Sequence, residues 1–162
     1  MVDNMSWKFK IAAAGALVLW PQLAGAWEVK NEATTMLVEQ FIESGPLEMA
    51  SVYCDDANGI VVNLFSSSRL TTANIFFGGE YLSDPMKGDL FDVPGYHVIG
   101  LTGKAARYFV RSLVETARDA RRHGSMSSGS EIWLSDVGPI QNLNATDFDM
   151  ISKATLARCY IF

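Results

Sequence analysis

The chain has 162 residues, with 13 Lys and Arg against 18 Asp and Glu and a formal net charge of −5. An acidic surface repels phosphate backbones, and nucleic-acid binding normally needs a basic stripe, so a nucleic-acid partner is not expected. Only two cysteines and two histidines are present, and none of them stands at zinc-ligand spacing.

The first element is an apolar run behind two basic residues. Lys8 and Lys10 precede Ile11 to Trp20, and Ala24-Gly25-Ala26 follows with the small residues that a signal peptidase requires. A bilayer span needs about 20 apolar residues, and Pro21 and Gln22 interrupt the run early. A buried helix would need a polar face that is missing here. No cysteine follows the run directly, so a lipid anchor is not suggested. The expectation is a cleaved signal peptide over 1–26 and one secreted or periplasmic domain over 27–162, with no transmembrane segment once the leader is removed. Without the leader's Lys8, Lys10 and Asp3, 11 basic and 17 acidic residues remain, a net charge of −6. Residues 27–162 have the usual length of one domain with one core.

In an exported chain the pair Cys54 and Cys159 reads as a disulfide. The two lie 105 positions apart, so the bond would tie the first third of the domain to its end. The competing reading is two thiols, one of them reactive. Asp55 and Asp56 follow Cys54, and acidic neighbours do not lower a thiol pKa.

The mature part opens with "WEVKNEATTMLVEQFIE". Trp27, Val29 and the Thr34-Thr35 pair favour strands, against a helix through Met36, Leu37, Phe41 and Ile42. In "ASVYCDDANGIVVNLFSSS", two runs rich in Val, Tyr, Ile and Phe flank Asn58-Gly59, the commonest short-hairpin signal. Ile60 to Phe65 is apolar on both faces apart from Asn63, as in a central strand. "TTANIFFGG" is a further strand candidate. Asp84-Pro85 and Pro94-Gly95 signal turns, and Tyr96 to Leu101 is a short strand.

The period then changes from two to 3.6. Ala106, Phe109, Val110, Leu113, Val114 and Ala117 form one apolar stripe of a long helix reaching His123. Thr102 can cap its start and Gly124 its end. Arg111 and Glu115 can pair one turn apart. A Ser/Gly connector leads to a strand around Glu131 to Leu134 and a second around Ile140. In "NATDFDMISKATLARCYIF", Phe148, Ile151, Leu156 and Cys159 share one helical face, although Thr155 to Phe162 also alternates as a strand would. The order of elements predicts an α+β fold: an antiparallel β-sheet with one long and one C-terminal helix packed on it, and one disulfide.

No chemical motif is decisive. His97 lies in a strand, and spacing names no partner for it; His123 suits the negative end of a helix dipole. "GSMSSGS" carries Met126 at the centre and lacks the strand-turn-helix setting of a nucleophile elbow. Asp55 and Asp56 suit a turn, Asp147 and Asp149 suit a helix start, and calcium-loop spacing is missing. No catalytic residue, metal ligand or cofactor is therefore assigned. Arg118, Arg121 and Arg122 form the one basic cluster. Dipole complementation explains their placement; docking of an acidic protein or an anionic envelope polymer is the functional alternative. Asn144-Ala145-Thr146 is a glycosylation sequon, relevant only in a eukaryotic secretory route.

The leader, "WEVK" at the mature start, an early cysteine, the helix and strand of "LVETARDARRHGSMSSGSEIWLS", and "IQNLNATDFDMISKATLARC" together set an order. It is similar to that of small periplasmic proteins of the invasion-associated locus B type. The resemblance rests on Trp27, Cys54, Phe148 and Cys159 and covers mainly the last 60 residues. It implies a periplasmic or surface-associated, non-catalytic protein linked to host interaction or envelope function. The expected function is accordingly that of a binding or accessory domain, in host interaction or enzyme inhibition, acting on a protein or envelope component. The alternative is a small secreted hydrolase whose site gathers His97, a serine such as Ser128 and a carboxylate.

Overall fold

In the computed structural model, the residues described are 27–32, 35–42, 47–77, 85–123, 132–134 and 138–139, with Phe148, Lys153, Leu156, Ala157 and Cys159 beyond them. Residues 1–26, over which a leader is expected, and the Ser/Gly connector lie outside this set.

The "WEVKNEATTMLVEQF" stretch is a hairpin. β1 (Glu28–Glu32) pairs antiparallel with β2 (Thr35–Phe41), from Glu28 opposite Glu39 to Glu32 opposite Thr35. β2 pairs with β3 (Met49–Asp55), which turns back into β4 (Gly59–Ser66). Asp55 makes that turn. Its Oδ1 accepts from the backbone N–H groups of Ala57 (3.0 Å) and Asn58 (2.7 Å) and from Asn58 Nδ2 (2.9 Å). Gly59 takes the left-handed conformation at φ 73°, which a side chain would strain.

The next strands belong to two sheets. β5 (Asn74–Phe77) pairs with β6 (Met86–Lys87), whereas β7 (Asp89–Val93) pairs with β8 (Tyr96–Leu101) across the expected turn at Pro94-Gly95. Gly88 alone separates β6 from β7. A Cβ there would stand 2.7 Å from Ile99 Cγ2, 2.8 Å from Leu101 Cδ2 and 2.9 Å from the carbonyl oxygen of Gly100. The lack of a side chain lets the backbone pass this close to β8 where the chain changes sheets. Sequence reading, which found the strand over Tyr96 to Leu101, missed β6 and β7, because "MKGDLFDV" is short and charged.

β8 pairs with β4, so the larger sheet runs β1-β2-β3-β4-β8-β7. Late in the chain come β9 (Ile132–Leu134) and β10 (Gly138–Pro139). With β5 and β6 they form a second sheet in the order β10-β9-β5-β6. The antiparallel sheet expected from sequence is the larger one, and among the described residues a second, smaller antiparallel sheet stands beside it.

The long helix α1 spans Gly103–His123. The Ala106 N–H donates to the Thr102 carbonyl at 3.4 Å, as it does when Thr102 is the capping residue. All six stripe residues, from Ala106 to Ala117, are buried. They meet the inner face of the larger sheet: Ala50, Val52 and Cys54 of β3, Ile60, Val62 and Leu64 of β4, and Ile99 and Leu101 of β8. Ile75 of β5 joins the same cluster. Each fully buried side chain of Leu, Ile or Phe size contributes about 1.5–3 kcal/mol. Trp27 and Phe148 close one end, their ring centroids 4.7 Å apart. Phe148 and Lys153 are helical, and the Cys159 N–H donates to the Leu156 carbonyl at 2.9 Å. The rest of 146–162 lies outside the described residues. The fold is α+β, with an antiparallel sheet, the long helix and one disulfide.

Candidate functional site

Cys54 points from β3 into the core and is bonded to Cys159, with their Cα atoms 5.9 Å apart. That spacing lies within the ordinary disulfide range. The bond ties the chain's end to the centre of the sheet.

His97 is not alone. Its Nδ1 lies 2.6 Å from Asp92 Oδ1, the residue opposite it on β7. On the other side it faces Ser66 of β4. Directly opposed residues project to the same face of a sheet, so Ser66, His97 and Asp92 form one row across three strands. Spacing could not have named Asp92, because the partnership arises from register. The row is unlike a nucleophilic site in two respects. The histidine and aspartate side chains are 36% and 78% exposed, which is the setting of a surface pair. Ser66 is buried; its Oγ donates to the Ser68 carbonyl (2.9 Å) and accepts from the Ser68 N–H (3.1 Å). Those two bonds end β4 in a tight turn and occupy the hydroxyl. Ser128 and the side chain of His123 lie outside the described residues.

Arg118, Arg121 and Arg122 are exposed on the last turns of α1. Arg122 Nη1 stands 3.9 Å from Asp119 Oδ1, a loose pair on the helix surface. One turn earlier, Arg111 Nε donates to Glu115 Oε1 at 2.7 Å, the pair expected from spacing. The hydrogen bond and charge of Glu115 raise the Arg111 pKa above its ordinary value. Of the carboxylates weighed from sequence, Asp55 is spent on its turn, and Asp147 and Asp149 lie outside the described residues. Among the described residues, no cluster of three or more His, Cys, Asp or Glu could hold a metal ion. No helix among them is long and apolar enough to cross a membrane.

The outer face of the larger sheet is the other candidate. Register places Met49, Phe65, Val98 and Phe91 in one row across β3, β4, β8 and β7. The next row is Ser51, Asn63, Gly100 and Asp89. Tyr53 flanks the second row and Tyr96 the first. Phe65 and Tyr96 meet edge-on with centroids 5.9 Å apart. Met49, Tyr53, Phe65, Phe91 and Tyr96 are all half-buried, so this face presents aromatic surface around a polar strip.

At the centre of the strip Asn63 is 7% exposed, and its Oδ1 is buried with no hydrogen-bond partner. The Asn63 side chain also bonds to Tyr53. Burial pushes the Tyr53 hydroxyl up to about 12, partly offset by that hydrogen bond and reinforced by the charge of Asp55. Sequence reasoning did not assign Asn63 a role. The available signal was its position as the single polar residue within Ile60 to Phe65. Compared with protein-family models, curated proteins and solved structures, the chain matches none.

Proposed function

We propose that this protein is exported and acts as a disulfide-linked, non-catalytic binding or accessory domain. Its partner would be a protein or a component of the envelope, in the periplasm or outside the cell. The observation that carries the reading is the Cys54–Cys159 bond. Such bonds persist in oxidising compartments and are rare in the cytosol, and the pattern of 1–26 agrees with export. The binding half of the reading is supported by the half-buried aromatic rows of the outer face, since aromatic residues are enriched where proteins meet. The order of Trp27, Cys54, Phe148 and Cys159 adds the resemblance to the invasion-associated locus B type. Arg118, Arg121 and Arg122 are a secondary contact for an acidic partner.

Two measurements test this. Intact mass of the protein recovered from the producing cell should begin at Trp27 and be two hydrogens lighter than the dithiol. A mass beginning at Met1 with free thiols refutes export. Pull-down from envelope or host extract with the oxidised protein should recover a stoichiometric protein or envelope component.

The 2.6 Å contact of His97 with Asp92, with Ser66 opposite, favours a hydrolase as the second reading. It requires Ser66 to leave its turn and reach His97. Turnover of an activated ester that is lost in both His97→Ala and Ser66→Ala would establish it. Turnover indifferent to both variants would eliminate it.

A further inference from the structure

The charges of α1 are set apart from those of the rest of the chain. Six of the 13 basic residues stand on it, with two acids, Glu115 and Asp119. The helix carries a formal +4 in a chain of −5, which leaves −9 for everything else. Lys104, Arg107, Arg111, Arg118 and Arg122 recur at i, i+3, i+7, i+14 and i+18. At helical spacing they fall in one stripe roughly 60° wide and about 27 Å long. All five are exposed. Arg111 pairs with Glu115, Arg122 loosely with Asp119, and Lys104 Nζ lies 5.6 Å from the centre of the Tyr108 ring. Arg107 and Arg118 have no ion-pair partner among the described residues. The helix dipole accounts for Arg118, Arg121 and Arg122, near its negative end. It does not account for the others. Lys104 stands in the first turn and Arg107 just beyond it, where the dipole opposes positive charge, and that turn contains no acid. A stripe that continues to the wrong end of the dipole needs a cause outside the helix.

We propose that this stripe binds a linear polyanion, a polysaccharide of the envelope that bears carboxylate or phosphate groups along its chain. The inference rests on the binding reading above and deepens it by naming the partner's chemistry. Five of the six cations of α1 are Arg, whose planar fork holds a carboxylate or phosphate through two hydrogen bonds. The stripe is narrow, Glu115 and Asp119 border it, and the rest of the chain carries the −9. A bilayer surface, far wider than the stripe, would meet repulsion at its margins, whereas a thin chain lies within it. Among the described residues of α1, Tyr108 alone is a large exposed hydrophobic. An acidic protein would therefore find no apolar centre of the kind on which protein interfaces are built. The same shortage denies a single-stranded nucleic acid the aromatic platforms on which its bases stack. Attraction between a row of cations and a charged polymer needs neither, because release of the polymer's counterions drives it.

The test uses the full oxidised chain with polygalacturonate and dextran phosphate, as the carboxylate and phosphate polymers, and with neutral dextran. Titration calorimetry should show binding of at least one polyanion at low salt, weakened at least about tenfold when salt is raised about fourfold, and no binding of dextran. Arg107→Gln combined with Arg118→Gln should weaken binding at least about tenfold. Lys87→Gln, which removes an exposed cation outside the helix, should change it by less than about twofold. Lys104→Glu separates docking from helix stability. It should weaken binding without lowering the melting temperature, because an acid in the first turn suits the dipole. Binding of neither polyanion, binding that survives Lys104→Glu, or a loss in Lys87→Gln as large as in the double variant overturns the proposal. So does tighter binding to anionic vesicles, to poly-glutamate or to oligo-dT, since the partner then belongs to another class. These outcomes leave the intact-mass and pull-down tests as they stand, so failure here is separable from failure of the binding reading.

Discussion

Breaking the Cys54–Cys159 bridge would show whether the end of the chain is held by the bond or by its apolar contacts. The bond closes a loop of 105 residues. In the chain-entropy account a loop of that size removes about 4.7 kcal/mol of denatured-state freedom, while most measured bridges give about 2–4 kcal/mol. Unfolding entropy near 60 °C is roughly 2.1 cal/mol/K per residue, which for residues 27–162 amounts to about 0.29 kcal/mol/K. Dividing one by the other, loss of the bond lowers Tm by roughly 7–16 °C. Phe148 and Leu156 are also buried near the chain's end, so the protein is expected still to fold. Cys54→Ala, Cys159→Ala and the double variant all remove the same single bond. Their losses should therefore be nearly equal, with Cys54→Ala slightly larger because its side chain is buried. Differential scanning calorimetry of the three variants, and of the natural protein with and without reductant, reads this directly. Additive single losses, or a melting curve that reductant leaves unchanged, would refute the reasoning.

Gly88→Ala should destabilise by about 1–3 kcal/mol, the usual cost of overpacking, because the added carbon meets the Gly100 carbonyl oxygen as well as two side chains; chemical denaturation measures it. Phe109→Ala empties the fully buried centre of the helix stripe and should cost about 3–5 kcal/mol in the same assay. Asp55→Ala removes three hydrogen bonds from the β3–β4 turn and should cost about 0.5–2 kcal/mol, by analogy with a lost cap. Tyr53, raised to about 12 by burial, stays protonated in the fold after an unfolded tyrosine has ionised near 10. The folded state then binds the extra proton, so stability present below pH 10 falls as pH rises towards 12. A difference titration at 295 nm between the natural protein and Tyr53→Phe should place this hydroxyl near 12, and a midpoint near 10 contradicts the assignment.

Much of this fold is legible in the sequence because its strongest signals are local. The stripe from Ala106 to Ala117 repeats at helical spacing and is buried along its whole length. Asn58-Gly59 makes a hairpin because the required backbone conformation depends on two or three residues. The strands β6 and β7 were not legible for the opposite reason. Their pairing partners, β5 and β8, lie in different sheets, and the residue that permits the change is a glycine whose meaning comes from Ile99, Leu101 and Gly100. The division into two sheets is likewise a property of pairing across long separations, β5 with β9 above all. Of the site candidates, the cysteine pair could be read from count and context. The Asp92 contact of His97 and the isolation of Asn63 Oδ1 could not, since each is fixed by which residues stand opposite.

The core and the outer face are set by one register. In β3, Ala50, Val52 and Cys54 point inward, which obliges Ser51 and Tyr53 to point outward, and the opposing residues of β4 follow the same alternation. A slip of one position would exchange the two sets entirely. It would place Tyr53 against the helix and carry Cys54 away from Cys159. The disulfide therefore does more than shorten the denatured chain. It penalises a one-residue slip of β3, because the slipped strand cannot form the bond. In β4 both faces are buried, from Ile60 to Leu64, so hydrophobic alternation alone gives that strand little preference between registers. The turn at Asp55–Gly59 and the bond at Cys54 supply the preference that composition does not, and the orphan oxygen of Asn63 keeps its place on the outer face as a consequence.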